Sequence, residues 1–195
     1  YLETCIEPNY RELFGSGLRG AAALSKKNFN VYLHSFIGED FASEAKLKSK
    51  AFGYHSKYSM IEDTVEFEYY HPLSIPKIHK TTKDIVTLPN IRANNILYYG
   101  MIEGTVSVDA DYVVYDPQNH VSFRETKSVT KHLALILNRN EAFLLCKKKD
   151  SDIKNVGKSL MISENAEVVV IKNGSQGALV FDELGVHEIP VYHTN

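Results

Sequence analysis

Apolar residues recur along the chain with two different periods, and the changes of period mark its elements. Leu18, Ala21, Ala22 and Leu24 stand at helical spacing behind Gly15-Ser16-Gly17, which predicts a helix from Gly15 to Lys26. A strand is predicted over Asn30 to Ile37, tolerant of polar residues in its middle at Leu33-His34-Ser35. Helical spacing returns at Phe41, Ala45, Leu47 and Ala51, so a second helix runs from Asp40 to Phe52 and stops at Gly53. Thr64 to Tyr70 alternates apolar and polar residues at period two, the signature of a half-exposed strand. Pro72 and Pro76 confine the segment after it to sheet edges.

Beyond Asn90 the texture changes to short β-rich runs at Asn95 to Gly100, Asp111 to Pro117, Ala134 to Leu137 and Glu167 to Ile171. They read as buried parallel strands, with helices over Glu141 to Lys149 and Asp152 to Ser163 between the later ones. Ala178 to Phe181 and Val186 to Ile189, joined through Asp182-Glu183-Leu184-Gly185, read as a hairpin. Strands alternating with helices predict an α/β fold, a parallel sheet sandwiched by helices. No internal repeat or low-complexity segment interrupts this pattern.

Composition narrows the function classes. With 195 residues, 44% hydrophobic and 24% charged, the chain can bury one sizeable core, and one main domain is expected. A formal charge of −2 gives no basic footprint for nucleic acid. The run Lys147-Lys148-Lys149 reads as a solvated helix face. Cys5 and Cys146 are far apart and adjoin no metal-ligand spacing, so they are expected to be free thiols in a reducing cytoplasm. No apolar stretch approaches the roughly 18 residues of a membrane span. The eight histidines form no ligand pair on a helix and read as surface or structural groups.

The candidate chemistry starts at Gly15-Ser16-Gly17. A glycine pair where a loop enters a helix lets backbone approach a small molecule, and helix N–H groups suit hydroxyls or anions there. The alternative is an ordinary tight turn. The helix and strand that follow end in Gly38-Glu39-Asp40. In this order the motifs resemble the N-terminal signature of the ribokinase/PfkB family of sugar and nucleoside kinases, where a G-G-x-G-x-N-x-A helix and a G-x-D turn flank the substrate. Two later segments extend the likeness. Leu135 to Glu141 resembles the strand ending in N-x-x-E, and Val168 to Val180 resembles the V-V-V-T-x-G-x-x-G-A hairpin beside ATP.

The resemblance implies a single ribokinase-like α/β domain over residues 1–195, with a small β-sheet lid from strands at about 1–12 and 58–80. A solvent-facing hairpin is the other reading of the second lid segment. It also implies an ATP-dependent kinase acting with Mg2+ on a hydroxyl of a sugar, nucleoside or related small molecule. No nucleic acid or membrane partner is expected, and a homodimer through the lid strands is. The family's catalytic aspartate lies in a G-A-G-D turn after the segment that Ile189-Pro190-Val191 resembles, and no G-A-G-D occurs in the sequence. The chain is therefore expected to be a piece of a longer kinase, short at both ends and inactive by itself. A sugar- or nucleotide-binding regulator of the same fold is the alternative. A dinucleotide-binding oxidoreductase is disfavoured, because no G-x-G-x-x-G follows a strand with an acid about 20 residues on.

Residue by residue, the resemblance gives Gly15, Ser16, Gly17, Arg19 and Asp40 to the substrate. Arg19 departs from the usual asparagine; it either meets an anionic group or points outward. Asp40 stands near substrate hydroxyls, or caps the helix that follows, or both. Met101 weakens a strict ribokinase assignment. Asn138, Lys172, Gly174 and Gly177 fall to the nucleotide and Glu141 to magnesium, with Lys172 in place of the usual threonine. Asn138 and Glu141 also suit a helix cap that stabilises and nothing more.

Overall fold

The structure, a computed structural model, describes residues 1–72, 74–79, 85–118, 120–147 and 152–191. The helix expected over Glu141 to Lys149 ends at Cys146, where Lys147 takes the left-handed cap conformation, so Lys147 is no part of a helix face; Lys148 and Lys149 lie outside the described residues, as do residues 73 and 80 of the expected lid segment. The coordinates group into two compact units, Tyr1–Leu88 with Ile102–Gly104, and Pro89–Met101 with Thr105–Asn195.

The first unit opens with strands β1 (Leu2–Cys5) and β2 (Tyr10–Leu13), followed by helix α1 (Gly15–Ser25). Strand β3 (Tyr32–Gly38), helix α2 (Ala42–Phe52) and strand β4 (His55–Ile61) then form a parallel βαβ pair. Strands β5 (Glu66–Tyr69), β6 (Lys77–His79) and β7 (Val86–Thr87) follow. Four of these make one sheet in the order β2-β1-β5-β6, with β1 antiparallel to β2 and parallel to β5. Strand β6 follows Pro76 directly and occupies the sheet edge, where a neighbouring proline removes no ladder hydrogen bond. All four residues of β5 are half-buried, so the strand forms where it was expected but its burial does not alternate as its sequence does. Leu2, Leu13, Leu18, Ile37 and Ala45 form one core cluster, and Ala21, Ala22 and Tyr54 a second. Helix α2 ends where Gly53 adopts φ +73.

The second unit contains β8 (Ile91–Tyr99), β10 (Val108–Asp116), β11 (Val129–Asn138), helices α3 (Arg139–Cys146) and α4 (Ile153–Glu164), and β12 (Val168–Lys172), β13 (Ala178–Asp182) and β14 (Gly185–Ile189). The two-residue β9 (Gly104–Thr105) precedes β10 in the chain. The sheet runs β14-β13-β12-β11-β10-β8, parallel from β12 to β8 and antiparallel through the β12-β13-β14 meander. Register places Val113, Tyr115, Leu133, Leu135, Leu137, Val169, Ile171, Leu179 and Phe181 on one face, and all are buried. Helices α3 and α4 pack on this sheet with Ala142, Val156 and Leu160 buried. Each large side chain withdrawn from water here contributes roughly 1.5–3 kcal/mol.

The parallel strands are longer than their apolar runs predict. β8 begins at Ile91 and β11 at Val129, both through largely exposed residues that periodicity reads as loop, whereas β10 begins at Val108 with Val108 and Ala110 already buried. Among the described residues the β10-to-β11 connection holds only a 3₁₀ turn, Arg124–Thr126. No helix among them is long and apolar enough to cross a membrane.

Candidate functional site

In the first unit the glycine pair begins α1, which carries no side-chain cap. Gly15 has φ +52, and a Cβ there would lie 3.1 Å from the backbone nitrogen of Tyr1 and 3.2 Å from its ring. Backbone conformation and crowding thus both select glycine. Gly17 is different: a Cβ would meet only Leu33 Cδ1, at an ordinary 3.5 Å. Ser16 Oγ lies 3.0 Å from the phenol oxygen of Tyr1.

Arg19 points to β1. Its Nη1 donates to Glu3 Oε1 at 3.1 Å, and its Nη2 donates to Glu3 Oε2. The guanidinium also lies 5.5 Å from the centroid of the Phe14 ring. Glu3 has no special signal in the sequence, since a lone glutamate in a short strand reads as surface.

Asp40 sits in a single 3₁₀ turn, Glu39–Phe41, after β3. It does not cap α2: the N-cap position is Phe41 and has no side-chain cap bond. Instead Asp40 Oδ1 accepts from Thr64 Oγ1 at 2.7 Å and from the Thr64 backbone N–H at 3.2 Å. Thr64 Oγ1 accepts in turn from the Gly38 N–H at 2.9 Å. The carboxylate therefore pins the Gly38 turn to Thr64, two residues before β5. A side chain at Gly38 would collide with Thr64 N and Asp40 Oδ1, so the turn's glycine is required by space.

The second unit gathers its polar groups at the carboxyl ends of β10, β11 and β12. Asn138 ends β11 and caps α3: its Oδ1 accepts from Glu141 N–H at 2.9 Å, while Glu141 Oε2 accepts from Asn138 N–H at 2.6 Å. This reciprocal box satisfies two backbone donors at the helix start. Lys172 ends β12, and its Nζ lies 3.8 Å from Asp116 Oδ2 at the end of β10.

Asp116 is the residue that sequence reasoning missed. Its side chain is only 13% exposed, and Oδ1 is buried without a hydrogen-bond partner among the described residues. Burial pushes its carboxyl up to about 6, helped by the negative charge of Glu141 and opposed by Lys172. A buried, partly unsatisfied carboxyl beside a second acid is suited to a cation or to protons in transit. The signal available in the sequence was Asp116-Pro117 closing a buried strand, which reads first as a strand stop.

The turn from β12 to β13 carries the other two glycines. Gly174 has φ +59 and open space around it, whereas Gly177 has φ +83 and a Cβ there would strike the Ile189 carbonyl oxygen. Asn173 N–H donates to Gly177 O at 2.7 Å, and Asn173 Nδ2 donates to Gln176 Oε1 at 2.8 Å, so the turn is internally braced. Gly177 is needed for strand packing whatever else it does. Two hollows of about 310 and 340 Å³ lie elsewhere on this unit. They are lined by residues at the amino-terminal ends of the parallel strands, including Val129 and Thr130 in one and Arg92 and Asp109 in the other.

No protein-family profile matches the chain, and no characterised protein matches it in sequence. Solved structures do match in fold. A ribokinase from Thermotoga maritima superposes with TM-score 0.65 at 14% identity, over 99% of this chain and 75% of its own. A mutant phosphofructokinase-2 from Escherichia coli gives 0.64 at 12% identity, over 100% and 76%. A fructokinase double mutant from Vibrio cholerae O395, with fructose, ADP and potassium ion bound, gives 0.66 at 10% identity, over 100% and 74%. The chain has the ribokinase-like α/β fold that these sugar kinases share.

Proposed function

We propose that the protein is a PfkB-type carbohydrate kinase, which transfers the γ-phosphoryl group of ATP to a hydroxyl of a sugar or related small molecule. The observation that carries this reading is Asp116, with its unpartnered carboxylate oxygen, held beside Glu141 and Lys172 at the carboxyl ends of adjacent parallel strands. Ligands of open α/β sheets bind at those ends, and phosphoryl transfer calls for a cation and a lysine there.

The donor set lies in the second unit. Asp116 and Glu141 fit a magnesium ion, because hard oxygen ligands of net negative charge are what that cation takes. Magnesium bound there would offset the charge of the donor phosphates. Lys172, half exposed, supplies a positive charge that is free to turn from Asp116 toward a phosphate. Asn138 holds the start of α3 and thereby the position of Glu141. Gly174 leaves open space in which nucleotide approaches the backbone.

The acceptor set lies in the first unit, with Gly15, Ser16, Gly17, Arg19 and Asp40 about the start of α1 and the Gly38 turn. The sheet β2-β1-β5-β6 serves as the lid, and its exposed edges pair between two copies of the chain. The two free cysteines suit a reducing cytoplasm.

Residues 1–195 bind and position but do not turn over, since the G-A-G-D aspartate that would take the hydroxyl proton has no counterpart in them. The test is phosphoryl transfer from labelled ATP to a panel of sugars, run beside calorimetric titration of magnesium-ATP. Saturable binding lost in Asp116→Ala, with transfer no higher than a boiled control, supports the reading. Failure to bind ATP refutes it. The second reading, a sugar- or nucleotide-binding regulator, is favoured by how completely capping and bracing account for Asn138, Glu141 and Gly177.

A further inference from the structure

Arg19 was expected to receive an anionic substrate group or to point away, and the structure has it do neither. Its fork is filled from within the protein. Glu3 is 4% exposed, and both of its carboxylate oxygens accept from the two terminal nitrogens of Arg19. Two parallel charge-assisted bonds of this kind use the geometry by which arginine recognises carboxylate or phosphate ligands.

The surroundings of the pair are rich in hydroxyls. Register places Cys5, Tyr10, Glu12, Phe67 and Tyr69 on the same face of the four-stranded sheet as Glu3, and Glu12, directly opposite Glu3, is itself paired with Lys48. Burial pushes the Tyr69 phenol up to about 12, with Tyr1, Glu3 and Tyr10 adding to the rise, so it stays a neutral donor. Tyr1 and Ser16 contribute two further hydroxyls, 3.0 Å apart.

We infer that the Glu3–Arg19 pair sets the charge class of the acceptor: the site takes an uncharged polyhydroxylated molecule and rejects its phosphorylated or carboxylated counterparts. This rests on the kinase reading above and names the substrate class of that same acceptor set. An anion could use the fork only by displacing Glu3, and a buried carboxylate stripped of its cation is the costly state of such a pair. A neutral hydroxyl displaces nothing. It can accept from an outward N–H of the half-exposed guanidinium, or donate to a remaining lone pair of Glu3.

The test compares D-ribose, D-fructose and myo-inositol with their monophosphates by calorimetry on the 195-residue chain. The wild type should bind at least one neutral member about ten-fold or more tighter than its phosphate. Glu3→Gln, which frees the guanidinium, should shift that ratio about ten-fold or more toward the phosphate. The double variant Glu3→Gln/Arg19→Gln, with neither charge, should restore the neutral preference. Circular dichroism checks the fold of each variant, and the wild-type ratio decides the matter if one does not fold. A wild type that prefers the phosphates, or a ratio indifferent to Glu3→Gln, overturns the inference and leaves the kinase reading standing. If no member of either series binds, both fall.

Discussion

Asp116→Asn should make the protein more stable at neutral pH while removing the carboxylate of the proposed magnesium site. The folded carboxyl keeps its proton to about pH 6, against an ordinary 3.8 in the unfolded chain. Across that window the folded state binds the additional proton, so the contribution of Asp116 to stability is fully present below 3.8 and is lost as pH rises through about 6. Above that value the buried carboxylate disfavours the fold by about 3 kcal/mol relative to its protonated form. An asparagine cannot ionise and escapes this penalty. It retains the cost of burying a polar group and deprives Lys172 of a partner, but the two groups are 3.8 Å apart and the lysine is half exposed, so that pairing is worth about 1 kcal/mol. The variant should therefore exceed the wild type by about 1–3 kcal/mol at pH 7.5, which for a chain of this size is about 2–12 °C in Tm. At pH 4 the two should converge. Scanning calorimetry of both proteins at several pH values measures the gap. A variant that is less stable at pH 7.5, or a gap that does not close on acidification, would refute the reasoning about Asp116.

Two further outcomes follow from packing and from a histidine. Gly157 faces Phe181, which is 1% exposed, and a Cβ at 157 would strike three of its ring carbons; Gly157→Ala should cost about 1–3 kcal/mol in urea unfolding despite its better helix propensity, and Phe181→Leu in the same chain should recover part of that loss. His34 is held below its ordinary 6.5, chiefly by burial and then by Lys57. Its neutral form is therefore the one the fold accepts, and its contribution is lost as pH falls from 6.5 through the lowered value. His34→Gln should show a smaller drop in Tm between pH 7.5 and 5 than the wild type, and an equal drop would contradict that assignment.

The sequence exposed most of the elements whose burial is one-sided. Helices α1, α2 and α4, strand β5 and the β13-β14 hairpin all fall within a few residues of their periodic segments, because each presents a single apolar face at a clear period. Strand β4 carries no periodic signal, and only its end touches the expected lid segment from residue 58: His55-Ser-Lys-Tyr-Ser-Met-Ile61 buries only Ile61 and is held as a strand by pairing with β3, a tertiary cause that composition does not carry. The early halves of β8 and β11 were missed for the same reason, since Arg92, Ala93 and Val129 pair with β10 while facing solvent.

At the candidate site, spacing was enough for the capping box, because N-x-x-E at a strand end is a local device. Glu3 and Asp116 were not legible, because what distinguishes them is burial against groups far along the chain, Arg19 for one and Lys172 with Glu141 for the other. Asp40 read as a substrate contact, a helix cap or both, and only the approach of Thr64 from 24 residues away shows what its Oδ1 binds.

The most direct test of the kinase account is calorimetric titration of ATP into the 195-residue chain, with magnesium and again with excess chelator. The account predicts saturable binding that weakens at least ten-fold on chelation, and that weakens likewise in Asp116→Asn even with magnesium present. ATP binding that ignores both magnesium and Asp116, or no binding at millimolar ATP, would contradict it.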